Sequence, residues 1–255
     1  MTFTGQRVLV TGGARGIGAA TARRFLEQGA RVAIGARREA SVEAFRDSLA
    51  NTELASAKVE SAVGEIGTQA ECRAVVETAV ARLGGLDILV NCAGVFEEVP
   101  FEAVTQEHWD STFRVNVGGT FFCLQAALPH LEASGGNVVN LGSDAGLIGF
   151  PPSSVYSGAK AAVVNLTRAL ALELAGRIRI NCVCPGNVET DMIQHAAEAS
   201  GEPHAYLDAA HRRAPLQRMG KPQEIADAVL YLASPQAGFT HGAILSVDGG
   251  GVCGF

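Results

Sequence analysis

The sequence predicts an α/β fold, a single Rossmann-like domain over residues 1–255 with a doubly wound parallel sheet and helices on both faces. Short apolar runs alternate with longer amphipathic stretches, which is typical of parallel strands joined by right-handed helical crossovers. Hydrophobic residues make up 47% of the 255 residues, enough for a sheet that is buried on both sides. No internal repeat, low-complexity segment or linker interrupts the alternation, so we expect one domain.

Seven apolar runs are expected to form the strands, and helical patterns fill the intervals. The strands are predicted near Val8–Thr11, Arg31–Ala36, Lys58–Val63, Asp87–Asn91, Asn137–Leu141, Ile178–Val183 and Ile244–Val247. A helix is predicted from Ser154 to Ala175, apolar on more than one side. Residues 187–215 show no clear pattern. Because they are polar and follow a strand end, we expect a mobile flap over a site, with a surface insertion as the alternative.

A glycine-rich turn follows the first strand. Thr11 leads into Gly12, Gly13, Ala14, Arg15, Gly16, Ile17 and Gly18. Glycines permit positive φ angles and a close approach to a ligand, and the free amides of a helix N-terminus attract phosphate. The spacing is GxxxGxG, not the GxGxxG of the commonest dinucleotide fingerprint. A tight turn with only a structural role is the alternative.

Tyr156 and Lys160 are four residues apart on the long predicted helix, so both side chains lie on one helix face. A neighbouring ammonium favours the phenolate and would lower the tyrosine pKa from about 10. A phenol tuned in this way is a general acid and base near neutral pH. The spacing alone would favour an ordinary exposed helix turn, so the catalytic interpretation of this pair depends on the other motifs.

Further motifs follow in a fixed order. They are TGGARGIG in the glycine turn, NCAG at Asn91–Gly94, Asn116, Ser143 thirteen residues before Tyr156, YSGAK at Tyr156–Lys160, PG at Pro185–Gly186, and the tail Arg218–Gly250. This set resembles the short-chain dehydrogenase/reductase family nearly end to end, in particular its 3-oxoacyl-carrier-protein reductase-like branch. The resemblance implies an enzyme that uses NAD(P) and acts on CH–OH groups.

By this resemblance the catalytic residues are Asn116, Ser143, Tyr156 and Lys160. Ser143 would hydrogen-bond the substrate oxygen while Tyr156 transfers a proton to or from it. Lys160 would lower the pKa of the phenol and hold the nicotinamide ribose. Asn116 would support a water that relays protons to Lys160; outside the family context, a helix-bend or capping role is favoured.

The end of the second strand favours NADP(H) over NAD(H). NAD-binding folds of this kind place an acidic residue there, whereas this chain has Ala36, followed by Arg37 and Arg38. Together with Arg15 in the glycine turn, these guanidinium groups would bind a 2′-phosphate. The alternative is that Arg37 and Arg38 only begin a solvated helix.

The resemblance supplies the remaining cofactor contacts. Glu65, longer than the family's usual Asp, and Ile66 would lie near the adenine, and Cys92 stands where many members have a second Asn. The expected cofactor-binding residues are Gly12, Arg15, Gly16, Ile17, Gly18, Arg37, Arg38, Glu65, Ile66, Asn91, Ala93, Gly94, Tyr156, Lys160, Pro185, Gly186, Val188 and Thr190. For each of them, a packing role is the alternative.

Composition excludes several other classes. The net charge of −6 and the lack of a basic run argue against nucleic acid and anionic membrane partners. No apolar segment reaches the length of a membrane span, and we expect a cytoplasmic protein. The six cysteines form no CxxC pair and the six histidines no HExxH motif, so we expect neither disulfides nor a metal.

The sequence therefore predicts an NADP(H)-dependent oxidoreductase that interconverts a ketone and a secondary alcohol. Its partner would be a small-molecule carbonyl or alcohol substrate, and the resemblance implies a homotetramer or homodimer. An NAD-dependent dehydrogenase of a sugar or hydroxy acid and a non-catalytic NADP-sensing protein remain alternatives. A hydrolase is less favoured, because the chain has no GxSxG motif.

Overall fold

The computed structural model describes residues 1–253, and they form the predicted doubly wound sheet. The sheet has seven parallel strands in the order β3-β2-β1-β4-β5-β6-β7. They are β1 (Arg7–Thr11), β2 (Arg31–Ala36), β3 (Val59–Val63), β4 (Ile88–Asn91), β5 (Asn137–Leu141), β6 (Arg179–Pro185) and β7 (Ile244–Val247). β6 continues past its predicted end because Pro185, which has no backbone N–H, is tolerated at a strand terminus, where it is paired with Val247.

Helices cover both faces of the sheet. Within the described residues they are α1 (Gly16–Glu27), α2 (Glu39–Asp47), α3 (Gln69–Leu83), α4 (Gln106–Phe113), α5 (Gly119–Ser134), α6 (Ser154–Glu173), α7 (Asp191–Ala199), α8 (Pro203–Arg213) and α9 (Pro222–Ala233). Helices α1, α2 and α9 pack on one face. Helices α3 and α5 and the end of α6 pack on the other. None of these helices is both long enough and apolar enough to cross a bilayer.

Residues 187–215, called the flap below, are more regular than their sequence suggests, since they contain α7 and α8. Each helix buries only a few side chains, Ile193 and Ala197 in α7 and Ala210 in α8. So sparse an apolar stripe is hard to recognise in a polar sequence. Pro203 begins α8, a position that proline favours.

The sheet positions a cleft at the carboxyl ends of its strands. β1 lies between β2 and β4, so successive crossovers leave in opposite directions from this point, where doubly wound sheets bind ligands.

Buried amide side chains link the sheet to α6. Asn91 Nδ2 donates to Asn140 Oδ1 over 3.0 Å, and Asn140 Nδ2 donates to Thr167 Oγ1 over 3.0 Å. The three side chains belong to β4, β5 and α6 in turn. The helix that carries Tyr156 and Lys160 is thus hydrogen-bonded to the centre of the sheet.

Candidate active site

The predicted site residues converge on one cleft of about 570 Å³. Those that line it are Gly12, Arg15, Gly16, Ile17, Gly18, Arg37, Arg38, Glu65, Ile66, Ala93, Gly94, Asn116, Ser143, Tyr156, Lys160, Pro185, Gly186, Val188 and Thr190. They come from the segments that follow β1 to β6, including the start of α1 and the turn between α4 and α5, and from α6. The fold therefore brings residues that are far apart in the sequence to the same cleft.

Asn91 is the exception, because its side chain does not line the cleft. It is 3% exposed and donates to Thr120 O and Asn140 Oδ1 inside the protein. The last residue of a strand can point either way, and here the amide turns into the core, where its Nδ2 is hydrogen-bonded and its buried Oδ1 has no partner among the described residues. The structure thus assigns the Asn91 side chain to packing and not to the cleft wall.

The glycine turn leaves no room for larger side chains. A Cβ atom on Gly12, whose φ is +65°, would lie 2.8 Å from Ala93 Cα, and one on Gly18 would lie 2.2 Å from Gly12 O. Helix α1 begins within this turn, at Gly16, with no side-chain cap and no acidic residue in its first turn. Free amides at a helix N-terminus fit a pyrophosphate.

Positive charge collects at the neighbouring corner of the cleft. Arg15, Arg37 and Arg38 line it and are exposed. Among residues 1–253 none of the three forms an ion pair. Guanidinium groups without a protein carboxylate partner are suited to a phosphate ester.

Tyr156 and Lys160 share a face of α6, as predicted. Lys160 Nζ lies 5.7 Å from the centre of the Tyr156 ring and donates to Leu141 O over 2.9 Å. Burial raises the pKa of Tyr156, and the Ser143 hydroxyl opposes that rise. Burial also lowers the pKa of Lys160. Burial therefore has the larger effect, and the pKa of the Tyr156 phenol lies above its ordinary value.

Asn116 lies in a π-helical turn, Arg114–Gly118, between α4 and α5. Its Oδ1 accepts from Val95 N–H over 3.0 Å, and its Nδ2 donates to Val95 O over 2.9 Å. Both ends of the amide thus hold the loop after β4, and the backbone oxygen of Asn116 is also hydrogen-bonded. That oxygen accepts from Thr120 Oγ1 over 2.9 Å.

Cys92, at the position of the family's second Asn, also lines the cleft. Burial raises the pKa of its thiol to about 12, with Lys160 acting in the opposite direction. The group is a neutral thiol at physiological pH, and so it is a poor nucleophile.

The far end of the cleft contains aromatic and charged side chains that the motifs did not indicate. Phe96 packs edge-on against Tyr156 with ring centres 4.8 Å apart. Arg213, at the end of α8, lies 3.5 Å over the Phe150 ring and 3.2 Å from Asp144 Oδ2. Phe96 closely follows NCAG, and Asp144 directly follows Ser143. This proximity to a motif is the only signal in the sequence that places the two residues in the site. For Arg213, one of two adjacent arginines on a polar helix, the pattern favours the surface.

Neither a serine–histidine pair nor a metal-binding group of side chains is found among the described residues of the cleft. No histidine is among the residues of 1–253 that line the cleft, so Ser143 has no histidine base there. No group of three or more His, Cys, Asp or Glu side chains within that range could hold a metal ion.

Comparisons with known proteins show which proteins this chain resembles. A family model described as enoyl-(acyl carrier protein) reductase matches residues 12–251. A 3-oxoacyl-(acyl-carrier-protein) reductase of Thermotoga maritima is 35% identical over 98% of this chain and 99% of the relative. An uncharacterized oxidoreductase of the same organism is 38% identical over 98% of both chains. The crystal structure of levodione reductase superposes with a TM-score of 0.94 and 32% identity, over 99% of this chain and 100% of the other.

Proposed function

The chain belongs to the short-chain dehydrogenase/reductase family of oxidoreductases that act on CH–OH groups, and on that premise we propose that it interconverts a ketone and a secondary alcohol with NADP(H). One observation carries the proposal. Ser143, Tyr156 and Lys160 line the same cleft as a glycine turn that fits a pyrophosphate. A protein that only senses a nucleotide does not require this combination of side chains.

Three side chains would carry the proton chemistry. Tyr156 donates its phenol proton to the substrate oxygen during reduction and removes a proton from the hydroxyl during oxidation. The Ser143 hydroxyl steadies the same oxygen by hydrogen bonding. Lys160 is held by Leu141 O at 2.9 Å, so its remaining N–H groups are free to bind a ribose hydroxyl and to receive a relayed proton.

The nucleotide would be held by this chain's own backbone and cations. Amides at the start of α1 bind the pyrophosphate, and Arg15, Arg37 and Arg38 bind the 2′-phosphate. When bound, NADP(H) would supply or accept the hydride. Thr190 lies close to Gly16, since a Cβ on that glycine would be 3.4 Å from Thr190 Cγ2. It thereby links the flap to the phosphate-binding turn.

We propose an uncharged aromatic or alicyclic carbonyl compound as the substrate. Phe96 packs against Tyr156, Phe150 lies under Arg213, and Met192 lines the same cleft. These side chains favour an apolar body. The cation in this region, Arg213, already has Asp144 as a partner. An additional carboxylate on the substrate would find this cation already paired with a carboxylate of the protein.

The test follows the absorbance of reduced nicotinamide with a panel of cyclic, aromatic and acyclic ketones. We expect turnover with NADPH to exceed turnover with NADH. R37Q and R38Q should reduce the NADPH to NADH ratio of kcat/KM by about tenfold or more each, the value of one charge-assisted hydrogen bond. R31Q is the matched control, because Arg31 is exposed at the opposite end of the same strand.

Equal ratios in R31Q, R37Q and R38Q would contradict the NADP(H) assignment. Binding of either nucleotide without turnover of any ketone or alcohol would favour the sensor alternative.

We also propose a homotetramer or homodimer. Leu172 on α6 is 83% exposed and Trp109 on α4 is 46% exposed, and large exposed apolar side chains often mark an interface. Analytical ultracentrifugation measures the mass directly, and a monomer at micromolar concentration would refute this proposal.

A further inference from the structure

A continuous set of contacts joins the flap to the catalytic serine. Asp144 Oδ1 accepts from the Ser143 hydroxyl over 3.0 Å and from Ala145 N–H over 2.7 Å. The other carboxylate oxygen, Oδ2, faces Arg213 at 3.2 Å. Arg213 is the last residue of α8, so the flap reaches the serine through one carboxylate.

The two charges depend on each other. Asp144 is 6% exposed; burial raises its pKa, and Arg213 opposes that rise. Burial lowers the pKa of Arg213, and Asp144 opposes that fall. A buried charge that loses its partner is strongly destabilised. The position of α8 therefore determines whether the Asp144 carboxylate has Arg213 as its ion-pair partner.

Other groups around the pair do not replace either partner. Asp248, after β7, adds negative charge near Asp144. Glu98, in the loop after β4, accepts a hydrogen bond from Tyr206 on α8 over 3.0 Å and adds negative charge near Arg213. Arg213 is thus the cation on which three carboxylates act.

The carboxylate sets the orientation of the catalytic hydroxyl. A serine hydroxyl has one proton and two lone pairs. In Ser143 the proton points to Asp144, and one lone pair accepts from Ala145 N–H over 3.2 Å. Ser143 also acts on Tyr156, because its hydroxyl lowers the pKa of that phenol.

We propose that Asp144 is a positioning residue for Ser143, and that Arg213 makes this positioning depend on the flap, so that docking of α8 aligns the serine for turnover. The kinetic consequence rests on the proposed function, whereas the contact between flap and carboxylate does not. The pair thus couples a surface element to the hydroxyls that handle the substrate oxygen.

The first experiment measures hydrogen exchange of the protein without nucleotide. R213Q and D144N should each increase exchange of the α8 amides, because each removes the ion pair. R212Q is the matched control, since Arg212 is exposed on the same helix, and its exchange should equal that of the unmodified protein. R213K keeps the charge and should recover part of the protection.

The second experiment measures kcat and KM for the ketone that is turned over best. R213Q and D144N should each reduce kcat about tenfold and leave the KM for nucleotide unchanged. The double variant R213Q/D144N should be no worse than either single variant, because both remove one interaction. D144A should be slower than D144N, since asparagine still accepts from Ser143 and alanine does not.

The results separate the two proposals. If the unmodified protein turns over no carbonyl compound or alcohol, the proposed function fails, and exchange alone decides whether Arg213 holds the flap. If R213Q matches R212Q in both exchange and kcat, or if the single effects multiply in the double variant, the coupling is refuted.

Discussion

Gly18→Ala tests whether the glycine turn is shaped for a nucleotide. The added Cβ would lie 2.2 Å from Gly12 O, 2.8 Å from Gly12 C and 3.0 Å from Gly13 Cα. All three are backbone atoms, so no side chain can rotate away and the turn itself must move. Overpacking of this kind costs about 1–3 kcal/mol, while alanine in place of glycine within a helix returns about 1 kcal/mol. The net loss of unfolding free energy should be about 1 kcal/mol.

Nucleotide affinity should fall much more than stability. Displacing the turn misaligns the amides at the start of α1, and one hydrogen bond to a charged group is worth about 1.5–3 kcal/mol. The dissociation constant for NADPH, measured by titration calorimetry, should therefore rise about tenfold or more. The melting temperature should fall by only about 2–4 °C.

Gly149→Ala is the control for this prediction, because a Cβ there meets no atom within 4 Å. Its nucleotide affinity and melting temperature should match those of the unmodified protein. A Gly18→Ala protein with normal NADPH affinity would show that the turn has only a structural role.

Three other changes test separate parts of the account. Tyr156→Phe keeps the ring and removes the acid, so kcat should fall at least ~10²-fold with NADPH binding intact; Tyr231→Phe, on the exposed part of α9, should not change kcat. Asn116→Ala removes both bonds to Val95 and should lower the free energy of unfolding in urea by about 1–3 kcal/mol. Burial raises the pKa of Asp87, but hydrogen bonds from Arg7 outweigh it and the pKa is lowered. The stabilising effect of Asp87 is therefore present above about pH 4 and lost as pH falls through the folded pKa. Asp87→Asn should make the free energy of unfolding less dependent on pH in the acid range. An unchanged pH dependence would refute the assignment.

The strands could be predicted because each is a short apolar run bounded by turn residues. β1, β2, β5 and β7 lie where the sequence suggested. The flap was predicted less well, since α7 and α8 bury few side chains. Local periodicity carries little information where a helix packs through only two or three positions.

The site could be predicted as far as its motifs extend. Tyr156, Lys160 and Ser143 come together because a parallel sheet brings its strand ends to one edge. Arg213 and Phe96 could not be assigned, because their roles depend on which elements meet across the cleft. The inward orientation of the Asn91 side chain could not be predicted either, because no alternating residues follow the last residue of a strand to show which way it points.

The amides of Asn91 and Asn140 and the hydroxyl of Thr167 have a consequence for evolution of the substrate pocket. Apolar side chains tolerate sliding, but moving α6 by one turn, about 5.4 Å, would strand these buried polar groups without partners. These hydrogen bonds therefore fix the position of α6 along its own axis. Loops around the cleft can diverge to admit new substrates while the phenol and the ammonium keep their place.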